Sequence, residues 1–201
     1  MLWALGTLLV FCIRPASGVV LLTFDDLSDN GSGTSIPSNY HGLSWTNFGV
    51  VNAVLIQGKY PSNGFTDGML STSNVALNAF GNPAEIDSPG TTFSLLSAYV
   101  TGAWHSNMDF RVQGFLGGAA VYDETNVVAF VGPTLVEFDH QAIDRAVFTS
   151  FGGDDATPGH LGFSEVFAMD NLSIDIIPEP STWALLATGL VVLLSVKRRQ
   201  A

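Results

Sequence analysis

Cysteine is all but missing from this chain. The single thiol, Cys12, sits in an apolar N-terminal stretch, so everything after it lacks a disulfide framework and thiol chemistry. Basic residues are scarce as well: seven Lys and Arg stand against 18 Asp and Glu, for a formal net charge of −11. Arg14, Lys197, Arg198 and Arg199 lie at the two ends, which leaves only Lys59, Arg111 and Arg145 in between. Such a body repels phosphate backbones and anionic lipid, which excludes nucleic acid as a partner, and it suits divalent cations. The four histidines, His41, His105, His140 and His160, never fall at i, i+4 on a helix, so no zinc-protease motif is present. Gly162-Phe163-Ser164 lacks the pattern of a nucleophile elbow. No Gly-rich phosphate loop joins a strand to a helix. The chain therefore reads as a protein that is not an enzyme.

What is present begins with two membrane-directed ends. Met1 to Gly18 carries an apolar core, Leu2 to Ile13, followed by Arg14-Pro15 and Ala16-Ser17-Gly18, small residues placed as signal peptidase requires for a cut before Val19. At the other end stand Pro178-Glu179-Pro180, then Ser181-Thr182, a run from Trp183 to Val196 with no ionisable side chain, and Lys197-Arg198-Arg199. A helix over Trp183 to Val196 satisfies its own backbone in lipid, and the basic end orients it toward the cytoplasm. Ser181 to Val196 supplies 16 residues by count, about 24 Å of helix, which is short for a bilayer and requires the Lys and Arg side chains to snorkel to the headgroups. These boundaries divide the chain into a leader at 1–18, a body at 19–177 and a tail at 178–201.

The ordered tripeptide, apolar helix and basic cluster at 178–199 resemble the PEP-CTERM sorting signal of Gram-negative bacteria; the same kind of tail is also labelled an ice-binding protein C-terminal domain. The resemblance implies an exosortase as partner, a membrane-embedded enzyme that reads the motif and processes the tail. It also implies export through the inner membrane, anchoring there, and a final place at the cell surface or in the extracellular matrix.

The body, roughly 160 residues, is long enough for one domain with a substantial core. Its apolar or alternating runs are Val19–Phe24, Leu43–Phe48, Val75–Phe80, Thr91–Trp104, Met108–Leu116, Asn126–Val131, Thr134–Phe138, Arg145–Phe151 and 163–176, separated by Gly, Pro, Asn and Asp. With no amphipathic helix between them, they predict an all-β fold, an antiparallel β-sandwich or jelly roll. Phe93, Phe110, Phe115, Phe130, Phe138, Phe148, Phe163 and Phe167 are the expected core.

Two acidic stretches stand at opposite ends of the body, Thr23-Phe24-Asp25-Asp26-Leu27 and Ala168-Met169-Asp170-Asn171-Leu172. If the first and last strands lie side by side, Asp25, Asp26 and Asp170 meet and offer the oxygen ligands of a Ca²⁺ ion. The arrangement resembles the structural calcium site of jelly-roll carbohydrate-binding modules. The body also resembles the domain often found ahead of such tails, through Phe24-Asp25-Asp26, Gly42-Leu43-Ser44-Trp45 and Asp170-Asn171-Leu172. The plainer reading is solvated turn carboxylates or strand caps. Gly152-Gly153-Asp154-Asp155 is a second acidic loop, and on its own a turn.

For sugar binding the candidates are Trp45 and Trp104 with Asn47, His105 and Asn107 as polar neighbours, and Tyr60 and Tyr122 as further aromatics; core packing is the alternative for each Trp. Glu137 and Asp139 alternate on one strand face, where acid/base work is geometrically possible. The sequence thus predicts an exported, exosortase-sorted surface or matrix protein with a non-catalytic sandwich that binds polysaccharide and holds a structural Ca²⁺. The alternatives are a carbohydrate-active hydrolase on the same fold or a ligand-free structural component.

Overall fold

The computed structural model describes residues 18–156 and 165–177, together with Gly189. The expected signal helix, the sorting tripeptide Pro178, Glu179 and Pro180, the apolar run Trp183 to Val196, the basic Lys197, Arg198 and Arg199, and the core candidate Phe163 lie outside the described residues. No helix among those described is long and apolar enough to cross a membrane.

Alternating apolar residues build the strands. In chain order they are β1 (Gly18–Leu22), β2 (Thr34–Ser35), β3 (Ser44–Thr46), β4 (Phe48–Asn52), β5 (Asn74–Asn78), β6 (Ala84–Asp87) and β7 (Thr92–Gly102). They continue with β8 (His105–Ser106), β9 (Met108–Leu116), β10 (Ala119–Val128), β11 (Thr134–Ile143), β12 (Arg145–Phe151), β13 (Asp154–Asp155) and β14 (Phe167–Ile177). Two short helices, α1 (Ala53–Gln57) and α2 (Gly64–Asp67), lie between β4 and β5. Each starts on an Asn cap: the side chains of Asn52 and Asn63 accept from the backbone N–H of Leu55 and Thr66. The sequence predicted no helix here because neither segment is long enough to show a helical period.

All ladders are antiparallel. A seven-stranded sheet runs β11-β7-β14-β5-β4-β2, with β1 also on β14, and a five-stranded sheet runs β10-β9-β12-β6-β3. Strand β14 is the axis of the larger sheet. β7 flanks its whole length, while the opposite edge is shared, β5 covering Ala168 and Met169 and β1 covering Leu172 to Ile176. First and last strands do lie side by side, as expected, with Gly18 opposite Ile176. Gly18, expected as the end of the leader, is already a residue of β1.

Between the sheets sits the main core. Phe93, Phe110, Phe138, Phe148 and Phe167 pack there as predicted, joined by Phe24 and Phe48, whose inward aim the sequence did not reveal. Phe115 is instead half-buried, its ring beneath the Arg145 guanidinium at 4.1 Å. A second apolar cluster lies on the other face of the larger sheet. Val51, Val75 and Ala168 point away from the main core and meet Ile56, Phe65 and Trp104 under α1 and α2. That cover extends over half of the face only.

The close approach of α2 depends on a missing side chain. A Cβ on Gly64 would stand 1.9 Å from the Gly102 carbonyl oxygen, where the Gly64 N–H donates to Ala103 and its carbonyl accepts from Thr101. Gly64→Ala is therefore expected to lower stability by about 1–3 kcal/mol in denaturant unfolding. A midpoint equal to the wild type would show that α2 lifts from β7 without cost.

Candidate functional site

The acidic residues of the two terminal strands do converge, but on a loop of the protein itself. Phe24 adopts a left-handed backbone (φ 62) with its ring buried, and the turn that follows, closed by Leu27 N–H to the Phe24 carbonyl, aims Asp25 at the segment entering β5. Asp25 accepts from the backbone N–H groups of Thr72 (3.0 Å), Ser73 (2.8 Å) and Asn74 (2.9 Å). Asp170 is fully buried and accepts from the N–H groups of Leu70 and Ser71, both at 2.7 Å, and from the Ser71 hydroxyl at 3.1 Å. The Asn74 amide closes the arrangement by donating to the Phe24 and Leu27 carbonyls. Two carboxylates thus hold residues 70–74 at the point where β14 exchanges β5 for β1 as its partner.

The three expected calcium ligands, Asp25, Asp26 and Asp170, bond to different partners in this geometry. Asp26 turns away to accept from the Tyr40 hydroxyl at 2.7 Å, and among the described residues no three acidic or histidine groups are placed to hold a metal ion. The oxygens of Asp25 and Asp170 face N–H donors, which supply the positive partner that a cation would otherwise provide. In the fallback loop the backbone of Asp154 and Asp155 pairs with Ser106 and His105, and both residues are exposed.

Electrostatics separate the two carboxylates of the clamp. Burial works to raise the Asp25 carboxyl, but donors from Asn74, Thr72 and Ser73 outweigh it and hold the group below its ordinary 3.8. Asp29, bound by the N–H groups of Asn52 and Gly31, behaves in the same way. For Asp170 burial prevails over its donors and the carboxyl is pushed up.

The sugar-binding candidates are also corrected. Trp45 is buried in the main core and donates from Nε1 to the Tyr40 carbonyl at 2.9 Å. Trp104 is buried in the second cluster, with Tyr60 and Phe65 against it edge-on. The Asn47 amide donates to the carbonyls of Ala79, Asn82 and Pro83, and Asn107 donates to Asp154 at 3.0 Å. His105 pairs with Asp155 on β8, and its Nδ1 is buried. Tyr122 stacks on the buried His140 at 4.4 Å. His140 Nε2 stands 3.0 Å from Glu124, joining the edge strands β11 and β10 of the two sheets; burial lowers its pKa, with Asp139 acting the other way. None of these aromatics offers a free face.

The open chemistry lies elsewhere, on the half of the larger sheet that α1 and α2 leave uncovered. Cross-strand register places Leu21, Ser173, Ser97 and Glu137 in one row across β1, β14, β7 and β11, and sets Tyr99 opposite Leu135. Leu96, Ser97, Glu137 and Asp139 line an open groove of about 410 Å³, with the Gln141 amide bonded to Asp139 at its edge. Glu137 and Asp139 thus share a face, as their alternation predicted. Tyr99, Ser97 and Leu96 were missed, although the alternation through 92–102 carried the signal. Among the described residues no Lys or Arg lines the groove: Lys59 bonds the Gly31 carbonyl, Arg111 pairs with Asp123, and Arg145 sits over Phe115 beside Glu85.

Beyond the last strand, residues 177–199 match the model of the PEP-CTERM protein-sorting motif. The tail is a PEP-CTERM sorting motif. Such a motif implies export and exosortase processing. Nothing matches among the curated proteins. The sandwich ahead of the PEP-CTERM tail is similar to a DUF4465 family protein from Bacteroides ovatus, at 11% identity over 80% of this chain and 100% of that one, with a TM-score of 0.47. It is also similar to TmCBM61 in complex with β-1,4-galactotriose (9% identity, 66% and 86% covered, TM-score 0.32) and to a family 16 carbohydrate-binding module (18%, 53% and 79%, 0.25). At such scores these likenesses carry no argument about a ligand.

Two measurements check the clamp. Asp25 contributes stability that is fully present above its unfolded pKa near 3.8 and is lost as pH falls through its lower folded value. Asp25→Asn should cost about 1–3 kcal/mol at neutral pH and flatten the acid limb of the stability curve; an unchanged limb would assign it to other carboxylates. The second is thermal melting with Ca²⁺ and with chelator. The midpoint is expected to stay put, and a rise with Ca²⁺ would restore the calcium reading.

Proposed function

We propose that the body is a non-catalytic polysaccharide-binding sandwich, delivered to the cell surface or extracellular matrix by its sorting tail, with the groove on β7 and β11 as its binding face. The observation that carries this reading is the uncovered half-sheet. The groove offers an apolar contact at Leu96 and hydroxyl and carboxylate acceptors at Ser97, Glu137 and Asp139, and half-buried Tyr99 stands opposite Leu135 on the same two strands. Hydroxyl groups of a sugar chain find acceptors there while its C–H faces find apolar contact. A groove with two carboxylates and no cation repels uronates and sulfated or phosphorylated polymers, so the ligand class is a neutral or amino-bearing glycan.

A hydrolase is the second reading, and the observation in its favour is that Glu137 and Asp139 line the same groove. Release of reducing ends from a bound glycan would establish it.

Calorimetric titration of the body with neutral, amino-bearing and uronic polysaccharides separates these outcomes. Binding is expected for the first two classes only, weakened about tenfold, or about 1.4 kcal/mol, by Glu137→Gln and by Tyr99→Ala with the fold intact. Absence of heat across all three classes would leave a matrix component without a ligand, and preferential uronate binding would overturn the charge argument.

A further inference from the structure

The last strand of the sandwich runs to the residue before the sorting tripeptide. Ile177, the last residue of β14, is paired with Thr92, and Ile176 is held on both sides, by Phe93 and by Gly18. The next residue is Pro178, the first of the sorting tripeptide. Proline has no N–H to continue the ladder and confines the residue before it to extended backbone, so the fold runs right up to the motif. Further back the strand is pinned again where Asp170 grips Leu70 and Ser71.

An enzyme that reads the tripeptide receives the chain on its body side as well. An extended peptide advances about 3.3 Å per residue, so a cleft gripping four residues ahead of Pro178 needs about 13 Å of chain that β14 holds inside the sheet. We propose that the folded body limits its own sorting: the exosortase engages the tripeptide when the end of β14, Ile174 to Ile177, peels away from β7 and β1. This inference rests on the sorting function of the tail. Peeling is confined to this end by the structure. One partner here is β1, a five-residue strand bonded to β14 on one edge, with Val19 and Leu21 exposed on its outer face. The other end of β14 lies between β7 and β5 beneath the second core cluster. Opening this end withdraws Ile174 and Ile176 from the main core, so the local stability of the strand end sets how often the segment is presented.

The test follows conversion of the tail-bearing full-length chain in a host that carries an exosortase able to process it. An insertion of about six Gly and Ser residues between Ile177 and Pro178 adds about 20 Å of free chain and leaves the sandwich untouched; conversion is expected to become several-fold faster. Ser94→Cys with Asp175→Cys joins two register partners, whose Cα atoms are about 4.5–5.5 Å apart in an antiparallel ladder, within disulfide reach. The oxidised variant should convert several-fold more slowly than its reduced form. Equal rates for the wild type and the insertion variant overturn the inference, whatever the disulfide does. A third variant, Pro178→Ala, Glu179→Ala and Pro180→Ala, addresses the underlying reading: lost conversion supports it, and unchanged conversion removes the sorting reading and this inference together.

Discussion

The fold depends on two carboxylates that grip a loop from opposite ends of the body. Asp25 follows the first strand, Asp170 lies on the last, and between them they receive the N–H groups of Leu70 to Asn74. This is the one place where β1, β5 and β14 meet, because β14 changes partner there. A break in a ladder leaves backbone donors without acceptors, and buried donors are costly. Carboxylates are the strongest acceptors available among side chains, and each serves several donors at once. With the loop held, β5 starts in register and α1 and α2 are positioned over the sheet.

That positioning divides the larger sheet into two environments. One half of its outer face is roofed by Ile56, Phe65 and Trp104 and belongs to the second core. The other half lies outside that roof and carries Ser97 and the two carboxylates of β11. The groove is thus what the roof does not reach. The same body keeps its three cations elsewhere, each engaged with a carbonyl, a carboxylate or a ring, so the open face carries uncompensated negative charge.

The two ends of the body leave side by side. Gly18 lies opposite Ile176, so the segments before β1 and after β14 are joined to neighbouring strands at one pole of the sandwich. A strand pinned on both edges as far as Ile176, and on one edge at Ile177, turns the stability of the domain into a term in the access of the tail.

Periodicity made the architecture legible, because alternation of apolar residues is a local property that survives without neighbours: Phe93, Phe110, Phe138, Phe148 and Phe167 all faced the core the pattern assigned. The tail motif was legible for the same reason, as its parts are contiguous. The acidic residues at the two ends of the body were singled out correctly, but their partner was not visible. A carboxylate accepts equally from a cation's field or from backbone N–H groups, and only the folded chain brings residues 70–74 to them. For Trp45 and Trp104 the sequence left sugar contact and core packing both open, because residue type does not distinguish a ring on a surface from one under a roof; both are buried. Sequence by itself determined the all-β class, the acidic character and the address. Tertiary structure decided which face stays open and what the buried charges hold, since both depend on contacts between segments far apart in the chain.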